Sequence, residues 1–223
     1  MLQLANAQIN DSEWSIGPVA GFKAIKSLVI YDTGISLSRS ISEGKRLNVE
    51  VGYRFSGPTL EQNWGSRKIN METDISSLML GASYHWFPFL SNSSRGSFLE
   101  SVKVIGGVWY LNNPDYKFVG YLDEPIVWGE VMFTPEEVGN VTTVIATNKL
   151  QPFVGLGYDN FYKTNKISFS VNGGILYQGK PEVTMVATNM LKPTEESAER
   201  FEQNLSSYQF SPFIQLLIHF NLK

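Results

Sequence analysis

The stretch Tyr208-Gln-Phe-Ser-Pro-Phe-Ile-Gln-Leu-Leu-Ile-His-Phe-Asn-Leu222 alternates almost without a break. Tyr208, Phe210, Pro212, Ile214, Leu216, Ile218, Phe220 and Leu222 form one set, and Gln209, Ser211, Phe213, Gln215, Leu217, His219 and Asn221 the other. A period of two is the signature of a strand, here with one apolar and one mostly polar face. The run exceeds the roughly 9–11 residues with which a tilted strand crosses a bilayer. Aromatic residues near both ends of the apolar face fall where an interfacial girdle would lie.

Seven more stretches repeat the pattern. Their apolar sets are Trp14 to Phe22, Val29 to Leu37, Leu47 to Phe55, Leu78 to Trp86, Val102 to Tyr110, Leu150 to Tyr158 and Ile167 to Tyr177, each read at every second residue. Short connections follow Ile41, Phe89 and Phe161, whereas long ones run near 57–67, 112–148 and 179–207. Eight strands with short turns at one end and long loops at the other close consistently as a barrel, with both chain ends on the short-turn side. Within the longest loop, Ile126–Phe133 and Val141–Thr147 have strand character, adding a hairpin or extending the wall above the membrane. Pro193-Thr-Glu-Glu196 predicts a short helix capped by Thr194, with Ala198, Phe201 and Leu205 as its apolar stripe.

Alternation alone does not say which face is inside, since a soluble lipocalin-like ligand-binding barrel also alternates. The polar set favours the membrane. It is mostly Ser, Gly, Asn and Gln, which suits a crowded interior, whereas a water-facing wall would be rich in Lys and Glu. Charged residues make up 17% of the chain, below the roughly 25% of soluble domains. A net charge of −3 gives no basic footprint for nucleic acid, and the absence of cysteine excludes disulfides and thiolate metal sites. The 223 residues fit one barrel domain, 8–223. Residues 1–7 resemble the tail of a signal peptide with an Ala-x-Ala cleavage site; the plainer reading is a solvated N-terminus.

The segment Leu150-Gln-Pro-Phe-Val-Gly-Leu-Gly-Tyr158 resembles the Pro-aromatic-x-Gly-x-Gly strand of small Gram-negative outer-membrane barrels. Gly173-Gly-Ile-Leu-Tyr-Gln-Gly179 and the ending from Phe210 to Phe220 are similar to the closing strands of such proteins, although Asn221-Leu222-Lys223 follow the last aromatic. The resemblance implies an all-β fold, an eight-stranded antiparallel transmembrane β-barrel like the OmpA transmembrane domain. Its long external loops, one carrying a short helix, would project from a monomer in outer-membrane lipid.

The polar face offers few groups for chemistry. His85 and His219 face inward near the short-turn end, with Arg46, Lys103 and Asp159 at a similar depth and Glu50 and Arg54 higher. These residues are expected to form an interior network in which each charge is paired, because an unpaired buried ion is costly. Ser83 and His85 also fit a nucleophile and its base, as in an outer-membrane lipid A deacylase, but no acid orients the imidazole. No metal or cofactor is called for. The expected role is therefore non-enzymatic, structural or binding, with an envelope or extracellular protein partner met through loops 112–148 and 179–207. A narrow passive channel is the alternative from the transport class.

Overall fold

The computed structural model describes residues 14–25, 28–56, 60–64, 67–90, 98–160 and 166–222. The signal-peptide reading of residues 1–7 and the turn after Phe161 lie outside the described residues. The first strands along the chain are β1 (Trp14–Ile25), β2 (Leu28–Ser42), β3 (Lys45–Ser56), β4 (Leu60–Trp64), β5 (Arg67–Asp74), β6 (Ser76–Trp86) and β7 (Val102–Leu111). The long loop supplies β8 (Tyr116–Leu122), β9 (Ile126–Trp128), β10 (Val131–Phe133), helix α1 (Pro135–Val138) and β11 (Asn140–Ala146). Then come β12 (Leu150–Asp159), β13 (Ile167–Tyr177), β14 (Glu182–Ala187), helix α2 (Ala198–Leu205) and β15 (Phe210–Leu222).

Eight strands close an antiparallel barrel in the order β1-β15-β13-β12-β7-β6-β3-β2. They are the eight that period-two alternation marks. The barrel shuts where β1 meets β15, with Trp14 opposite Leu222 and Ala20 opposite Leu216. Every barrel strand presents its apolar set outward: Leu80, Val154, Leu216 and Ile218 are 45%, 61%, 51% and 37% exposed. Aliphatic side chains fill the middle of this belt. Tyr31 and Phe55 stack at the loop end, centroids 5.7 Å apart, and Tyr177 leans on Phe210 at 5.2 Å. At the turn end Phe98 stacks on Tyr158 at 5.0 Å, and the Arg39 guanidinium lies 5.1 Å from the Trp14 ring centroid. Such a surface is unfavourable in water, at roughly 25 cal/mol per Å² of exposed apolar area, and at home in hydrocarbon between two interfaces.

Five barrel strands continue beyond the belt. Strands β4, β5, β8, β11 and β14 form a second sheet in the order β14-β11-β8-β5-β4. Each is the chain neighbour of a barrel strand, and the sequence β13-β12-β7-β6-β3 below runs in the same order. Rungs bridge the junction: the Ser56 N–H donates to the Ile75 carbonyl (3.1 Å), Leu111 to Lys149 (2.9 Å) and Asn148 to Gln178 (2.8 Å). The wall thus rises on one side only. Val141–Thr147 extends it through β11, while Ile126–Phe133 forms a separate hairpin of β9 and β10.

The β14 edge of this outer sheet is covered. Glu202 accepts a hydrogen bond from the Val183 N–H (3.3 Å) and Glu195 from that of Ala187 (2.8 Å). Carboxylates of the helical segment 189–205 therefore occupy donors that an exposed edge would offer to another strand. Lys180 beside Glu202, at 3.2 Å, holds that carboxyl below its usual range together with the Val183 bond. The helix differs from expectation in its start. Residues 189–197 wind as a 3-10 helix, and Thr194 donates to the Leu191 carbonyl (2.6 Å) instead of capping α2. Leu205 is buried, but Phe201 stays exposed. The complete capping box belongs to α1, where the Glu137 carboxylate accepts from the Thr134 N–H at 2.8 Å and the Thr134 hydroxyl from the Glu137 N–H at 3.3 Å.

Candidate functional site: the filled lumen and the outer sheet

The inward face stacks four layers between the turns and the loops. In the lowest, Asp159 of β12 accepts from Lys103 of β7 at 3.1 Å and lies 3.4 Å from Arg46 of β3, all three sealed from solvent. Arg46 also donates to Ser15, whose hydroxyl lies 3.4 Å from His219 Nδ1. The Lys103 ammonium further donates to Ser170 Oγ (2.6 Å) and stands 3.3 Å from His85 Nδ1. An ammonium has only donors, so Nδ1 accepts and the imidazole proton sits on Nε2. That nitrogen is 3.0 Å from Ser83 Oγ and donates to it. The fold thus brings Ser83 and His85 together, with a lysine where a triad would place an acid.

The next layer is uncharged except for Glu50. Its two carboxylate oxygens accept from Asn48 Nδ2 (2.6 Å) and Gln215 Nε2 (2.8 Å). Gln215 accepts from Asn172 (3.0 Å), and Asn172 accepts from Ser170 (3.2 Å), so a hydrogen-bonded chain crosses the lumen from Lys103 to Glu50. In the expected interior network, Glu50 is held directly by neutral amides, with Lys103 attracting it from the layer below. Pairing across a barrel depends on the stagger of the strands, which places amides opposite Glu50 and the cations at other levels.

Above Glu50 the interior turns apolar. Trp109, Phe153 and Phe213 meet with centroids 4.6, 5.1 and 5.4 Å apart, packed with Met79, Ile105, Leu111 and Leu176. Glycines on the facing strands make the room. A Cβ added at Gly81 would stand 2.7 Å from the Trp109 ring, one at Gly107 2.7 Å from Phe153, and one at Gly174 2.9 Å from Phe213.

At the loop end Arg54 grips Asp32 with two bonds of 2.7 and 3.1 Å and donates to Gln151 at 3.2 Å. Lys23, 1% exposed, donates to the Tyr116 hydroxyl (2.6 Å), which donates in turn to Gln178 (3.1 Å). Burial pushes the Tyr116 phenol up to about 12. Lys23 and Asp32 complete the charge layers and were absent from the residues singled out by sequence, although both fall on the inward set.

The outer sheet has an apolar inner face. Tyr116, Phe118 and Ile145 close over Ile30 and Ile75 at the barrel mouth. Polar Lys117, Thr142 and Thr184 alternate onto the opposite face. Beyond it, the β9–β10 hairpin, α1 and the start of the 3-10 stretch enclose a groove of about 390 Å³ lined by Ile126, Val127, Trp128, Phe133, Val138, Met190 and Leu191.

No family model matches the chain, and no curated protein matches it in sequence. Among solved structures, CarO2 and CarO of Acinetobacter baumannii superpose with TM-scores of 0.57 and 0.54, each at 16% identity. These alignments cover 94% and 92% of this chain and 99% and 96% of those chains. A major outer membrane protein from Thermus thermophilus follows at 0.50 and 14% identity, covering 95% of this chain and 99% of its own. Likeness at that identity concerns the fold, and it agrees with the outward apolar belt. The chain is an eight-stranded barrel of the outer-membrane type.

Proposed function

We propose that this protein is a monomeric outer-membrane barrel that serves as a rigid base for an external binding surface, and neither conducts nor catalyses. One observation carries the reading: the lumen is occupied by side chains while ordered structure is built up outside it. Trp109, Phe153 and Phe213 touch one another across the interior, and eight strands leave room for little more than packed side chains. Five strands, a hairpin and the segment 189–205 are meanwhile spent on the loop side. Loops displayed on a rigid scaffold are where recognition usually resides.

The Ser83–His85 pair supports the same reading. With Lys103 donating to Nδ1, the Nε2 that faces Ser83 carries a proton and has no lone pair to take one from the hydroxyl. The acidic outer loops likewise speak for a protein partner over nucleic acid. Planar-bilayer recording tests the proposal against the channel alternative. Purified protein should give no steady conductance; ion-selective openings that disappear when the protein is omitted would overturn it.

A further inference from the structure

Among the described residues, the β9–β10 hairpin is the most water-exposed apolar element outside the belt. Trp128 is 77% exposed, and Val127, Val131 and Met132 are each more than half exposed. They flank the groove over Val138 and Leu191, on the loop side of the barrel and away from the lipid-facing wall. Monomeric soluble surfaces rarely display contiguous apolar patches of this kind without a use for them. The surroundings are predominantly acidic, with Lys192 beside Leu191 the one cation next to a lining residue in sequence. From residue 118 to residue 148 there is no Lys or Arg, whereas Asp123, Glu124, Glu130, Glu136 and Glu137 all fall there. Glu136 and Glu137 line a second concavity that adjoins the groove through Met190.

We infer that the groove beside the β9–β10 hairpin binds a cationic amphipathic peptide segment, its apolar side chains on Trp128 and Met190 and its Lys or Arg residues against the surrounding carboxylates. This rests on the reading of the outer sheet as a binding surface and names its partner class. Size and shape favour a peptide over a small molecule. Small-molecule sites bury some 70–90% of their ligand, whereas Val127, Trp128 and Met190 leave this groove open along one side. An amphipathic helix laid into an open apolar groove covers such a surface with spaced apolar anchors. The exposed indole face offers a further attraction to an ammonium or guanidinium, and tryptophan is among the residues that most often anchor recognition surfaces.

The test uses the full chain in phosphatidylcholine nanodiscs, with empty discs subtracted so that lipid binding is removed. Two model helical peptides of the same apolar pattern are compared, one Leu/Lys and one Leu/Glu. The Leu/Lys peptide should bind the loaded discs above the empty ones, and the Leu/Glu peptide should not. Trp128→Ser should weaken binding at least tenfold. The double variant Glu130→Gln/Glu136→Gln should weaken it about threefold and flatten its salt dependence. Glu43→Gln, at the turn end of the barrel, should leave it unchanged.

Binding no stronger than that of empty discs, or unaffected by Trp128→Ser, overturns the assignment. Trp128-dependent binding of both peptides alike overturns the cationic partner while leaving the outer-surface reading intact. A dimer lost on Trp128→Ser, seen by sedimentation, would show that a second copy fills the groove and overturn the peptide assignment. Steady conductance from the same preparation is what would bring down the underlying reading.

Discussion

Removing Asp32 should cost the barrel a large part of its stability. Arg54 is 1% exposed, and its anionic partner is Asp32, held by two bonds of 2.7 and 3.1 Å. In Asp32→Ala the guanidinium keeps Gln151 at 3.2 Å but no carboxylate, with the buried Lys23 ammonium as a second cation in the same layer. Stranding one member of a buried pair typically costs about 3–5 kcal/mol. With a urea slope of roughly 2 kcal/mol per molar, that is a midpoint lowered by about 2 M. The assay is urea titration of the folded barrel in lipid vesicles, read by tryptophan fluorescence and by the unheated gel band. Asp32→Ala/Arg54→Met should recover most of the loss, because an apolar pair of similar volume is often no less stable than the ions it replaces. A midpoint for Asp32→Ala within about 0.3 M of wild type would refute the claim that the pair is desolvated.

Three further outcomes follow from the same layers. Glu50→Ala leaves the Asn48 and Gln215 amides without an acceptor but strands no ion, so urea titration should show a smaller loss, roughly 1–3 kcal/mol. Gly107→Ala drives a methyl against the Ala82 carbonyl and into the Phe153 ring and should destabilise by about 1–3 kcal/mol, with a matching change in near-ultraviolet circular dichroism. The Tyr116 phenol ionises near 10 when unfolded and only at about 12 when folded. Unfolding therefore releases a proton above pH 10, and stability should fall as pH rises from about 10 to about 12. Tyr116→Phe should remove that part of the slope in parallel pH titrations.

The barrel was legible because membrane and lumen impose opposite solvents on alternate residues. Val51 against Glu50, or Leu216 against Gln215, records that contrast directly in the chain. The outer sheet has weaker contrast, since β11 reads Asn-Val-Thr-Thr-Val-Ile-Ala and both faces tolerate β-branched residues. One signal was nevertheless present. In β5, Ile69, Met71 and Thr73 alternate with Lys68, Asn70, Glu72 and Asp74 as cleanly as in any barrel strand. Thr134-Pro-Glu-Glu137 likewise spells a capping box in plain letters. The lumen was harder. Periodicity assigns a residue to the inside and to a depth, but the partner across the barrel follows from stagger, so Asp32 escaped notice and the amides that hold Glu50 were not foreseen. The aromatic layer was hidden in the same way: Trp109, Phe153 and Phe213 fall on a set that reads as polar, and only the glycines beneath them hint at stacked rings.

Orientation is the claim on which the rest depends, and the absence of native cysteine makes it directly measurable. Single cysteines at Trp128, in the outer hairpin, and at Glu43, in the turn between β2 and β3, can be offered a membrane-impermeant maleimide in intact Gram-negative cells. Trp128→Cys should label in intact cells, and Glu43→Cys only after the outer membrane is opened. Labelling of Glu43→Cys in intact cells, with Trp128→Cys protected until the membrane is breached, would contradict the account.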